Sequence, residues 1–152
     1  MPAVETAIRE ESKTKKTTYH KLRKRILVTG SSGFIASKLV TRLQESGHLV
    51  QPFDLADNQD ITNPTQVSRA IADKEAVFHL AAIADLNWAR VHPIETMKIN
   101  LEGTWNIANA CCKTGAKLFF ASTCCVFGNQ KYHPVTEETL PNPSEIYACS
   151  KL

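Results

Sequence analysis

Apolar residues along this chain fall into short continuous runs, separated by stretches with a three-to-four-residue rhythm. Ile26, Leu27 and Val28 form one such run, closing on Thr29 and Gly30, the pattern of a strand buried on both faces. Ile35, Leu39, Val40 and Leu43 then recur at helical spacing, and Gly47 stands where a helix C′ glycine belongs. Leu49 to Phe53 predicts a second strand, ending at Asp54. The turn-rich link Asp57, Asn58, Gln59 and Asp60 leaves room for only a stub of a third strand around Ile61. Asn63, Pro64 and Gln66 occupy the N-cap, N1 and N3 positions of a helix that runs to about Asp73. Ala76 to Leu80 predicts a fourth strand. A long helix is predicted from Pro93, with Ile94, Met97, Leu101, Trp105, Ala108 and Cys112 as one apolar stripe and Gly115 as its stop. Leu118 to Ala121 predicts a fifth strand. Pro134, Pro141 and Pro143 mark a loop, and Ser144 is placed to N-cap a last helix carrying Tyr147 and Lys151.

Strands alternating with helices, the strands apolar throughout, predict an α/β fold: a doubly wound parallel sheet of Rossmann type. Residues 1–24 read as a disordered basic tail, and residues 25–152 as one incomplete domain. The sequence stops early in its last helix with no stop signal, which predicts the N-terminal part of a longer protein.

Composition adds exclusions. With 152 residues, 43% hydrophobic and 22% charged, the chain has ordinary globular content for one domain. Residues 1–25 carry eight Lys/Arg against three Glu, and the remaining residues ten against twelve acids. The net +3 therefore belongs to the tail, and the slightly acidic body is a poor nucleic-acid platform. No apolar window reaches the roughly 18 residues a membrane span needs. Five cysteines, an odd number without an apolar leader, point to a reducing, cytoplasmic compartment. Cys111-Cys112 and Cys124-Cys125 lack the spacing of a zinc site, so they read as small packed residues and no metal is expected. Trp88 and Trp105 read as packing residues, and His79 as a satisfied structural histidine.

Three segments carry chemistry. Gly30 to Ala36 is G-x-x-G-x-x-A set between a strand and a helix. There Gly30 permits a tight turn, Gly33 lets the backbone approach a pyrophosphate, and the helix N-terminus offers free N–H groups to phosphates. Asp54, at the end of the second strand, suits the ribose hydroxyls of NAD; residues 55–68 contain no Arg to take the 2′-phosphate of NADP. The competing reading of Asp54 is a loop cap or turn. Tyr147 and Lys151, four apart on a helix, share a face, where a lysine charge stabilises a phenolate for proton transfer. They follow Ser122 and Thr123 at a strand's C-terminal end, the edge where ligands bind in such sheets.

Together these segments resemble the extended short-chain dehydrogenase/reductase family, in its nucleotide-sugar epimerase/dehydratase branch. TGSSGFIA is similar to T-G-x-x-G-x-x-(G/A), Asp60-Ile61 to Asp-(Ile/Val), and His79-Leu80-Ala81-Ala82 to H-x-A-(A/G). Asn100 stands in an N-x-x-G-T segment, and Ser122 to Gly128 resembles S-(S/T)-x-x-V-Y-G with Phe127 for Tyr. The resemblance implies Thr123, Tyr147 and Lys151 as catalytic residues. It implies an NAD site made by Gly30, Ser32, Gly33, Phe34, Ile35, Asp54, Asp60, Ile61, Leu80, Ala81, Ala82, Asn100 and Ala121, with Tyr147 and Lys151. Asn100 would order the active-site helix. The family adds further strands and a small C-terminal substrate domain, and its usual dimer would use the Pro93–Thr114 and Ser144–Leu152 segments.

One departure matters. Members that dehydrate or decarboxylate carry an acidic residue between the catalytic Thr and the Val, where this chain has Cys124-Cys125. The expectation is therefore an NAD-dependent 4-epimerase of a nucleotide sugar. A sugar or uronate dehydrogenase or reductase, and a non-catalytic NAD-binding module, are the alternatives. Residues 1–152 alone are expected to turn over no sugar.

Overall fold

The computed structural model describes residues 23–131 and 134–152. The predicted tail lies outside the described residues, Arg23 and Lys24 excepted. Four strands form one parallel sheet in the order β2-β1-β3-β4: β1 Arg25–Thr29, β2 Leu49–Phe53, β3 Ala76–His79 and β4 Lys117–Phe120. The expected third-strand stub at Ile61 does not form. Asp60 instead closes a turn, with its Oδ1 accepting from Thr62 N–H and its C=O from Asn63 N–H, and Ile61 drops into the core. Pro52 is tolerated in β2 because β2 is the sheet edge.

Helices cover both faces. On one, α1 (Phe34–Glu45) packs Ala36, Leu39, Val40 and Leu43 against Ile26, Val28 and Ala76. Ile35, expected on that face, is exposed, and Ala36 takes its place. On the other, α2 (Pro64–Ile71) and α5 (Gly103–Thr114) bury Val67, Ile71, Ile107 and Cys111 against Leu27 and Val77. Alternate residues of β1 thus feed two cores, as the strand period of two requires. Asn63 caps α2 as predicted, its Oδ1 accepting from Thr65 and Gln66 N–H. Gln66 does not return to the cap backbone; its Oε1 accepts from Asp60 N–H at 2.7 Å and so holds the 60-turn. Gly47 and Gly115 end α1 and α5 in left-handed conformation, φ 87° and 75°.

The region between β3 and α5 departs most from expectation. A short helix unforeseen in the sequence, α3 (Leu86–Val91), is capped by Asp85. The long helix is then composite: α4 (Pro93–Met97), a π-helical turn at Lys98–Glu102, and α5. Its apolar stripe points outward, with Ile94, Leu101 and Trp105 exposed at 85, 55 and 68%. The inward face carries Thr96, Asn100, Gly103, Ile107 and Ala110. It is polar because its polar groups are bonded inside, and it contains Gly103 because a Cβ there would stand 2.5 Å from Ile61 Cδ1. Trp88 is half-exposed, stacked on His92 at 3.9 Å between centroids. Neither Trp is a core residue. All five cysteines are free, and only Cys111 is buried, so Cys112, Cys124 and Cys149 are not the packed residues expected.

Candidate functional site

The chain leaves β1 for β2 on one side, then crosses to β3 on the other. Such a switch point opens a crevice beyond the strand C-termini, the ligand edge of an open parallel sheet. Gly30 and the segment after His79 form its walls. Gly30 has φ 67°, and a Cβ there would lie 2.7 Å from both Ala81 Cα and Ala81 N. Only glycine lets the two backbones approach so closely. The Gly30 N–H donates to Phe53 O at 2.9 Å, which ties the turn to β2 as well.

A cavity of about 220 Å³ lies in this crevice. Gly30, Asp54, Asp60, Ile61, Ala81 and Ala82 line it, all expected cofactor residues, beside Ile83 and Ile99. The Asp54 carboxylate accepts from Ser32 N–H at 2.9 Å and from Ala56 N–H at 3.0 Å. It therefore caps the 3₁₀ turn Leu55–Asp57, as the plainer reading of this residue had it, while also bracing the glycine-rich turn. Phe34 and Ile35 are exposed at the start of α1, whose N-cap Gly33 provides no side-chain acceptor. The first-turn N–H groups there suit an anion. A crevice with a glycine approach, an uncapped helix start and a carboxylate at the second strand's end fits a dinucleotide.

Behind the crevice runs a buried hydrogen-bond chain. His79 is fully buried, with Nδ1 2.7 Å from Thr29 Oγ1 and Nε2 2.9 Å from Thr104 Oγ1. The Thr104 hydroxyl donates to Asn100 O, so His79 donates from Nε2 and accepts at Nδ1. The Thr29 oxygen is then free to accept from Leu80 and Ala81 N–H, both at 3.2 Å. Burial, and secondarily the charge of Lys151, pull the His79 pKa from 6.5 to about 4, which keeps the ring neutral. His79 is the satisfied structural histidine expected.

Asn100 does not line the cavity. It is fully buried, accepting from Ile83 N–H at 2.8 Å and donating to Ile83 O at 3.0 Å and Ser150 Oγ at 2.9 Å. Ser150 passes its own proton to Tyr147 O at 2.7 Å. Asn100 thus reaches the helix α6 (Ile146–Ser150) that carries Tyr147. Glu145, not Ser144, is the N-cap of α6; its carboxylate makes no cap bond and lies 3.6 Å from Arg90.

Thr123 begins the 3₁₀ turn Cys124–Phe127, its Oγ1 accepting from Cys125 N–H at 3.2 Å. That turn packs on α6. Ala121 follows β4, its N–H donating to His79 O at 3.2 Å. Lys151 is the C-cap of α6 rather than a helical residue, held by Ser122 Oγ on its C=O at 2.8 Å. Its side chain turns inward and is buried, which lowers its pKa to about 8. Tyr147 lines a second cavity of about 530 Å³ with Leu86, Arg90, Pro93 and Glu145. Among the described residues no cluster of His, Cys, Asp or Glu is placed to hold a metal. The sequence pattern assigns no role to Thr29, Thr104 and Ser150, and points to Ser122 only as the neighbour of Thr123. The available signal was hydroxyl residues at positions a buried strand end or helix face gives to apolar ones.

Comparison with known proteins agrees with this geometry. The NAD-dependent epimerase/dehydratase family model matches residues 26–152. UDP-glucuronic acid decarboxylase 1 of Xenopus tropicalis is 33% identical over 130 residues, covering 76% of this chain and 31% of the relative. UDP-glucose 4-epimerase of Thermus thermophilus, solved with NAD, is 30% identical with a TM-score of 0.75, covering 84% of this chain and 47% of that one. A Bacillus anthracis dTDP-4-dehydrorhamnose reductase, solved with NADP, is 30% identical with a TM-score of 0.79, covering 86% and 47%. The chain thus spans under half the length of each. All three relatives are named as enzymes, and the two solved ones share this chain's fold. With the family model matched from β1 to the last residue and the crevice in place, the chain belongs to the NAD-dependent epimerase/dehydratase family.

Proposed function

We propose that this chain is the cofactor-binding part of an NAD-dependent nucleotide-sugar epimerase of the 4-epimerase type. The observation that carries the reading is the meeting of the Thr123 turn and the Tyr147 helix at the C-terminal edge of the sheet, with Cys124 and Cys125 where a second acid would stand. Loss of water or CO₂ calls for such an acid; epimerisation at a carbinol carbon needs only one proton relay and a hydride carrier.

Bound NAD would supply the hydride acceptor and donor for the sugar carbon. Tyr147 takes the hydroxyl proton as the carbonyl forms and gives it back on return. Thr123 retains a hydroxyl proton to donate to the reacting oxygen, because its Oγ1 only accepts in its cap bond. The Lys151 charge favours the phenolate and holds the nicotinamide ribose. Asp54, with no Arg in residues 55–68, favours NAD over NADP. Ser32, Gly33, Phe34 and Ile35 would receive the pyrophosphate, while Asp60, Ile61, Leu80, Ala81, Ala82 and Ala121 would flank the cofactor.

A dehydrogenase or reductase uses the same residues, and the reductase likeness favours it as the second reading. The exposed Ile94, Leu101 and Trp105 stripe suits a homodimer, and five free cysteines suit the cytoplasm. Replacing Tyr147 by Phe in the protein is expected to cost at least ~10²-fold in turnover, the usual worth of general acid/base catalysis. Near-wild-type epimerisation would sink the assignment.

A further inference from the structure

Lys151 is 2% exposed, and among the described residues it makes no ion pair. A buried ammonium without a counter-ion is unfavourable unless some other group stabilises it. The group present is an aromatic ring. Lys151 Nζ stands 4.2 Å from the centroid of Phe120, the last residue of β4. That ring is itself fixed: Phe120 pairs with His79 across the β3–β4 ladder, and the two rings stack with centroids 5.9 Å apart. The Lys151 backbone is fixed too, through Ser122 Oγ on its C=O. Both ends of the contact are therefore held by the sheet, not by the lysine side chain.

We propose that Phe120 is a positioning residue for the acid/base site: its ring face seats the Lys151 ammonium and preserves its charge in a buried setting. The ring quadrupole attracts a cation most strongly where water is excluded. No carboxylate forms an ion pair with Lys151 among the described residues, although α4, packed on α6, carries Glu95, and α3, also packed there, is capped by Asp85, whose Oδ1 accepts from Trp88 N–H. β3 contributes His79, kept neutral by its burial, α6 carries Tyr147, and the 3₁₀ turn packed on α6 carries only the uncharged side chains of Cys124, Cys125, Val126 and Phe127. Glu145, at the start of α6, is turned toward Arg90. The Lys151 charge survives to about pH 8, so a small further loss of stabilisation would discharge it in the neutral range. The inference deepens the epimerase reading, in which Lys151 must be charged to hold the phenolate.

The test reads the lysine directly. The protein is labelled with ε-¹³C lysine, the Lys151 signal is assigned with Lys151→Arg, and its titration is followed from pH 6 to 11. Phe120→Leu keeps the site apolar but removes the ring face; it is expected to lower the Lys151 midpoint by roughly 0.5–1.5 pH units. Phe120→Tyr keeps the face and is expected to leave the midpoint unchanged. Phe119→Leu, one residue away, controls for general loosening and should not move it. If Phe120→Leu does not fold, Phe120→Met gives the same readout. An unmoved midpoint in the ring-less variants would overturn the proposal, as would a wild-type Lys151 that titrates like free lysine. The readout needs no turnover. A shifted midpoint together with an active Tyr147→Phe would support this contact while rejecting the epimerase reading.

Discussion

Replacing Asn100 by Ala should unfasten the candidate catalytic helix from the rest of the domain. The amide makes three hydrogen bonds, two to the Ile83 backbone and one to Ser150 Oγ, and is fully buried. Ser150 Oγ is itself committed to Tyr147 O, so the network has no spare group to take over. Three bonds at a net ~1 kcal/mol each, with a term for the cavity left behind, give a destabilisation of about 3–5 kcal/mol. That is a large part of the ~5–15 kcal/mol of a typical domain. Urea denaturation followed by far-UV circular dichroism would measure it. Fluorescence is the poorer probe, because Trp105 is largely exposed and Trp88 about half exposed. Amide exchange at Ile83 and across 146–151 should quicken in step. A loss below ~1 kcal/mol, or unchanged exchange at Ile83, would refute the claim that Asn100 bonds these segments together.

Two more outcomes follow from the same geometry. His79 titrates at about 4 when folded against 6.5 when free, so the unfolded chain binds the extra proton first as pH falls from 6.5 toward 4. At ~1.4 kcal/mol per pH unit this withdraws about 3 kcal/mol of stability, some 2 kcal/mol of it by pH 5. Between pH 7 and 4.5, urea titrations should show wild type losing about 2–2.5 kcal/mol more stability than His79→Gln, and parallel profiles would contradict it. Gly30→Ala combines a left-handed Cβ with contacts to Ala81 backbone atoms at 2.7 Å, a cost of about 2–5 kcal/mol; a melting temperature equal to wild type would show that β1 and β3 separate freely.

The strand runs and the glycine signals were legible because they depend on local chemistry alone. Ile26 to Thr29 is apolar on both sides since helices cover both faces, and Gly30, Gly47 and Gly115 sit where φ is positive. Asn63 capped its helix for the same local reason. The long helix was misread because hydrophobicity stood in for burial. Thr96 bonds His92 O at 2.9 Å, Asn100 makes three hydrogen bonds to Ile83 and Ser150, and Gly103 admits Ile61, so the less apolar face is the inner one. The π-helical turn around Asn100 has no periodic signature that sequence alone displays. Likewise Ile61 is apolar for the core and not for a strand, a distinction set by the turn that Gln66 and Asp60 build. At the site, Gly30 and Asp54 stand out by their spacing and Asp60 and Ala81 by the family resemblance, and all four line the crevice. Phe120 does not stand out, because its contact with Lys151 joins positions 31 residues apart through the sheet.

The most direct test of the account is to denature the purified protein that carries this chain and quantify the NAD(H) it releases, then assay UDP-hexose epimerisation without added cofactor. Release near one NAD(H) per chain, with C4 epimer formed and no net NADH, is the expected result. A protein that releases none, and yields NADH only when sugar and free NAD are supplied, would contradict the epimerase reading and establish the dehydrogenase.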